Sequence, residues 1–107
     1  MHGRFALTVI YCADLEPMAA FYRDTLGLKV IAEKEGEYVL DGNSHALLLQ
    51  ARPDRPTREA ETIFIGVDVE TAVQDLAALD PVRMPGEESR GFRVQDPEGN
   101  SVCFVND

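Results

Sequence analysis

The apolar residues of this chain fall into two series with the same order. The first opens with Arg4 to Cys12, "RFALTVIYC", which is dense in β-branched and aromatic residues and predicts a buried strand. Asp14 is placed to cap a helix, with Glu16 and Pro17 suited to its first turn. Met18, Phe21, Tyr22 and Leu26 recur at close to helical spacing and give that helix one apolar face, and Gly27 is its stop. The following "LKVIAEKEGEYVLDGNSHALLLQA" is cut by two turn signals, Glu35-Gly36 and Asp41-Gly42-Asn43, into three short strands.

Arg52 to Glu61 is polar and proline-containing and reads as a linker. The pattern then starts again. "TIFIGVDV" predicts a strand, and "ETAVQDLAAL" a helix with Val69, Ala72, Val73, Leu76 and Leu79 inward, ended by Asp80-Pro81. "VRM" is a candidate short strand, and "GFRVQ" and "SVCFV" are strands around an Asp96–Asn100 turn. Each half reads strand, helix, strand, strand, strand, offset by about 54 residues, with Asp14-Leu15-Glu16 matching Asp68-Val69-Glu70. The expectation is one α+β domain over 1–107, with module one at about 4–51, a linker at about 52–61 and module two at about 62–106.

Bulk composition narrows the partners. A chain of 107 residues is long enough for one modest core. Its net charge of −9, with no cluster of Lys or Arg, opposes nucleic-acid binding. No apolar run reaches the roughly 20 residues of a membrane span, so no membrane partner is expected. Two cysteines, Cys12 and Cys103, make no disulfide framework and read as free thiols of a reducing cytoplasm.

"DLEPMAAFYRDTLGLKV", followed much later by "RGFRVQDPEGNSVCFV", resembles the vicinal oxygen chelate superfamily of glyoxalases, extradiol dioxygenases, and fosfomycin- and bleomycin-resistance proteins. The resemblance spans nearly the whole chain. It implies two βαβββ modules whose mixed sheets form an open cup with helices outside, and commonly a homodimer. Whether the modules pair within one chain or between two is left open.

In metal-using members of that family, four strand residues, two per module, are His, Glu or Gln and hold a divalent ion. Carried over, those places fall at Leu7 (or Thr8), at Gln50 or Leu48, at Thr62 and at Cys103. Leucine cannot coordinate, and threonine is a poor ligand. None of the residues 5–11 or 62–67 is His, Asp or Glu, so two of the four corners are expected to lack a ligand. His2 and His45 stand at strand ends and read as exposed hydrogen-bonders. The expectation is no metal and no other cofactor.

Strand alternation then assigns faces. Leu7, Val9 and Tyr11 are expected in the cup, as are Thr62, Phe64 and Gly66, with Ile63, Ile65 and Val67 packed on the helix. Arg93, Gln95, Ser101, Cys103 and Val105 face the cup, while Phe92, Val94, Val102 and Phe104 pack beneath the helices. The expected ligand-binding set is Leu7, Tyr11, Gln50, Thr62, Phe64, Arg93 and Cys103, a mostly apolar surface with a few polar points suited to a small organic ligand. Arg93 is able to hold a carboxylate or phosphate, or simply to pair with a surface glutamate. Cys103 has no histidine placed beside it and reads as a small buried hydrophobe. Three functions follow: a metal-free small-molecule binder, a metal-dependent glyoxalase- or dioxygenase-type enzyme, or a regulatory module with a filled cup.

Overall fold

The computed structural model describes residues 2–4, 6–84 and 91–106. The chain divides into two compact units, Met1–Thr57 and Arg58–Asp107. Each holds one mixed four-stranded sheet and one helix, an α+β arrangement in which the doubled strand-helix-strand-strand-strand order is present.

In the first unit the elements are β1 (Leu7–Cys12), α1 (Leu15–Ala20), β2 (Lys29–Lys34), β3 (Glu37–Asp41) and β4 (Ala46–Ala51). The sheet order is β1-β4-β3-β2, with β1 parallel to β4 and the rest antiparallel. A parallel neighbour requires a crossover, and α1 supplies it. Asp14 takes the N-cap position in an extended conformation. The single helix expected from Asp14 to Leu26 is in fact a short α-helix that widens into a π-helical turn over Phe21–Thr25. That turn closes with the Leu26 N–H donating to the Phe21 carbonyl at 3.0 Å. Gly27, at φ +82°, then reverses the chain in the left-handed region that favours glycine.

The unit's core is Ile10, Cys12, Met18, Ala19, Phe21, Tyr22, Tyr38, Leu40, Leu47 and Leu49, all buried. It lies between α1 and the face of the sheet that α1 covers. Tyr22 is edge-on to Phe21, with ring centres 5.1 Å apart. The Tyr38 hydroxyl donates to the Glu16 carboxylate at 3.2 Å, tying β3 to α1 and giving Tyr38 a role that strand alternation alone does not reveal. Thr8 Oγ1 lies 3.4 Å from His45 Nε2, an exposed pair at the β1 and β4 strand starts.

The second unit runs β5 (Glu61–Ile65), α2 (Val69–Asp75), β6 (Val82–Arg83), β7 (Gly91–Gln95) and β8 (Ser101–Val105). Its sheet order is β5-β8-β7-β6, again with only the first pair parallel. The Asp68 carboxylate caps α2 by accepting from the Thr71 N–H at 3.4 Å and hydroxyl at 3.0 Å. Helical residues end earlier than the apolar spacing suggested: a 3-10 turn at Ala77–Leu79 follows, and Asp80 at φ +55° closes it. Part of the "VRMPGEES" stretch lies outside the described residues; β6 is its described strand. Gly91 is buried, and a Cβ there would strike the Phe104 carbonyl oxygen and the Val105 side chain. A larger residue at that point would push β7 off β8.

Candidate functional site

In the first unit the helix-covered face of the sheet carries Ile10, Cys12, Leu47 and Leu49, so the alternate residues form the other face. Register pairs Leu7 with Ala46, Val9 with Leu48 and Tyr11 with Gln50. Leu7, Tyr11 and Gln50 therefore share the open face, as the alternation predicts. Leu7 is 42% exposed and Val9 36%, unusually high for strand leucine and valine. Gln50 Nε2 donates to Glu37 Oε1 at 3.2 Å, so its amide is held along the sheet by the neighbouring strand.

In the second unit Arg93 and Cys103 are register neighbours on one face, and Ile63 pairs with Cys103 from the other side. Phe64 does not join them. Its ring stacks on Phe104 at 5.2 Å and 11°, and Phe104 stacks on Phe92 at 5.2 Å. Phe92 and Phe104 belong to the core beneath α2, so Phe64 and Thr62, two residues before it, lie on the helix-covered face. This reverses the expected facing of β5. The physical reason is the larger area and the stacking preference of the phenyl ring, which take the covered side of the strand and leave the isoleucines outside. Ile63 is 51% exposed and Ile65 69%.

The same reversal brings in a residue that the sequence reading passed over. Glu61 is the first residue of β5, in register with Ser101, on the face shared by Ile63 and Cys103. Its signal was present: Glu61 stands seven residues before Asp68, as Leu7 stands seven before Asp14. Register also selects between the two candidates on β4. Leu7 pairs with Ala46 and Glu61 with Ser101, so the residue of β4 equivalent to Cys103 of β8 is Leu48, and Gln50 is equivalent to Val105. The four corresponding places are therefore Leu7 and Leu48 in one module, Glu61 and Cys103 in the other. Among the described residues no three His, Cys, Asp or Glu side chains come together.

Burial pushes the Cys103 thiol up from its ordinary value, the nearby Glu61 carboxylate adds to that, and Arg93 partly offsets it. The thiol is 1% exposed, so it is a poor nucleophile at neutral pH. A raised thiol value means that the folded state holds this proton more tightly than the unfolded chain. Its contribution to stability is complete below the ordinary value of 9.0 and is lost as pH rises past it. Tyr38, raised from 10.0 by burial and by Glu16 and Glu33, acts with the same sign at higher pH. Urea unfolding at pH 7, 9 and 10 is expected to show falling stability, and Cys103→Ala is expected to flatten the first part of that fall. An unchanged slope in the variant would contradict the assignment.

The fold and these faces define a class: two βαβββ modules in one chain, each with one sheet face under a helix, the other face carrying exposed apolar residues in module one and a mixture of isoleucines with Glu61, Arg93 and Cys103 in module two. Residues 4–104 match the model of the glyoxalase/bleomycin resistance protein/dioxygenase superfamily, and the chain belongs to that family. Comparison with curated protein sequences gives no match. Among solved structures, a lactoylglutathione lyase from Agrobacterium tumefaciens is similar at 23% identity, covering 96% of this chain and 92% of its own, with a TM-score of 0.77. An antibiotic binding protein from Streptomyces sp. CB03234 is similar at 19% identity, covering 99% and 98%, with a TM-score of 0.80. A glyoxalase/bleomycin resistance protein/dioxygenase from Nocardioides is similar at 16% identity, covering 99% and 84%, with a TM-score of 0.78. At such identities the likeness is one of fold.

Proposed function

We propose that this chain is a binding protein that takes a small organic molecule on the apolar open faces of its sheets, without the divalent ion that many relatives use. The observation that carries this reading is that the two module-one places where a metal-using relative needs donor side chains fall at Leu7 and Leu48, which share one sheet face, Leu48 lying two residues beyond Ala46, the register partner of Leu7. A leucine offers no lone pair, so of the four places only Glu61 and Cys103 carry a donor atom, and both stand in module two. These residues do not fit a divalent ion held from four corners. Each unit does expose large hydrophobics on this side of its sheet, Leu7 and Val9 in the first and Ile63 and Ile65 in the second.

The reading includes a homodimer in the cytoplasm. Exposed apolar side chains on β1 and β5, each the edge strand of its sheet, favour association, and two free thiols favour a reducing compartment. Light scattering on the purified protein checks the first point, and a monomer at micromolar concentration would refute it.

The second reading, a metal-dependent glyoxalase- or dioxygenase-type enzyme, is favoured by Glu61, a carboxylate on the open face at the head of β5. Elemental analysis after exposure to Ni²⁺, Zn²⁺, Mn²⁺ and Fe²⁺ separates the two. The binding protein is expected to retain no stoichiometric metal. One ion per chain, lost on Glu61→Gln, would establish the enzyme reading instead.

A further inference from the structure

The segment Arg52 to Thr57 reads in sequence as linker, but the structure makes it part of the first unit. It is fastened to β1 at three points. The Arg52 N–H donates to the Cys12 carbonyl at 2.9 Å, the Thr57 N–H donates to the Tyr11 carbonyl at 2.9 Å, and the Tyr11 N–H donates to Thr57 Oγ1 at 2.8 Å. Between these points the Arg55 N–H donates to the Arg52 carbonyl at 3.1 Å, closing a turn with Pro53 at its second position, where a proline ring presets the backbone. Pro56 restricts Arg55 in turn to extended conformations.

The consequence is a pair of cations gathered at one ring. The Arg52 guanidinium carbon lies 5.1 Å from the centre of the Tyr11 ring, and that of Arg55 lies 5.7 Å from the same ring. Two like charges gathered on one phenol repel each other, and among the described residues the one ion pair either makes is that of Arg52 with Asp54. Arg52 has one contact with Asp54, long at 3.5 Å and open to solvent. Among the described residues the Arg55 guanidinium has no carboxylate partner, in a chain with 19 acidic side chains available. Tyr11 stands on the open apolar face, beside Gln50. The geometry points to an oxyanion subsite: we propose that Arg52 and Arg55, preset by the proline turn above Tyr11, receive the carboxylate or phosphate of a small organic anion whose apolar body lies along Val9 and Leu7. This rests on the proposed binding role of the open face and names its ligand class. A held backbone leaves less freedom to lose on binding, and guanidiniums are suited to planar, bidentate oxyanions.

The test is titration of the full chain, followed by backbone amide NMR, with phenyl phosphate, benzoate, inorganic phosphate and the neutral benzyl alcohol. Phenyl phosphate or benzoate is expected to move the amides of Tyr11 and residues 52–57 and to bind at least about tenfold more tightly than benzyl alcohol. Which of the two binds better identifies the oxyanion. Arg55→Gln is expected to weaken the anion about tenfold, and Arg52→Gln with Arg55→Gln further, while melting temperatures stay within a few degrees. Arg83→Gln, an equal charge change on the second unit, is expected to leave anion binding unaltered. Anion binding unaffected by the double substitution, or no tighter than that of benzyl alcohol, overturns the subsite. If benzyl alcohol still binds in that case, the apolar-face reading survives alone. If inorganic phosphate binds through the arginines as well as phenyl phosphate does, the subsite stands and the apolar-face reading falls.

Discussion

Replacing Asp96 with alanine is expected to destabilise the protein by about 3 kcal/mol, the largest effect of any polar substitution in the second unit. Asp96 opens the "DPEGN" turn and is buried at 4% exposure, while Asn100 at its close is 1% exposed. One carboxylate oxygen accepts from the Glu98 N–H at 2.9 Å and the Asn100 N–H at 3.0 Å, and the other accepts from Asn100 Nδ2 at 3.1 Å. Asn100 Oδ1 in turn accepts from the Ala60 N–H at 2.9 Å, so the same network anchors the chain where it enters β5. Alanine would strand at least one buried donor and release the side chain that holds β5 in register with β8. For a domain of this size the loss corresponds to a fall in melting temperature of roughly 10–15 °C. Asp96→Asn, which keeps one acceptor, is expected to cost about half as much. Thermal unfolding of both variants is the measurement, and an Asp96→Ala protein melting within 3 °C of the parent would remove the turn from this structural role.

Phe104→Ala is expected to cost a similar amount, about 3 kcal/mol, for a different reason. Its ring is the middle member of the stack of Phe64, Phe104 and Phe92, and all three lie beneath α2. Truncation leaves a cavity between two aromatic rings that the flanking strands hold apart, so collapse is incomplete. Ile63→Ala provides the control. It removes a comparable aliphatic group from the adjacent strand, but Ile63 is already half exposed, and the cost is expected to stay below about 1 kcal/mol. Equal losses from the two would mean that β5 presents the opposite face. That result would restore Thr62 and Phe64 to the open side and undo the placement of Glu61.

Much of this was legible in the sequence. The doubled element order, the matching of Asp14 and Asp68 at the strand-to-helix junctions, the turn glycines and the family resemblance all rest on local signals: spacing of apolar residues, polar residues at helix starts and turn chemistry. The placement of Leu7, Tyr11 and Gln50 on one face, and of Arg93 and Cys103 on another, follows from alternation once the strands are located, because the side-chain period of a strand is two. The same regularity makes alternation fragile. In β5, "ETIFI", every residue after Glu61 is compatible with either face, and the sequence has no internal marker of which set is covered. Only the tertiary contact of Phe64 with Phe104 decides it, and one step of phase moves Thr62 and Phe64 out of the candidate site and Glu61 into it.

By itself, then, the sequence determined the architecture and the absence of a donor at Leu7, since leucine has no lone pair in any register. Three matters were left to tertiary structure. The pairing of β1 with β4 and of β5 with β8 showed that Leu48, not Gln50, is the counterpart of Cys103, a comparison between strands far apart in the chain. Side-chain packing turned β5 over. The hydrogen bonds from Arg52 and Thr57 back to β1 fasten an apparent linker to the first unit as a turn that places two arginines by Tyr11. Each depends on contacts between residues distant in sequence, where the free energy of burial and pairing is settled by which partners meet rather than by the pattern along the chain.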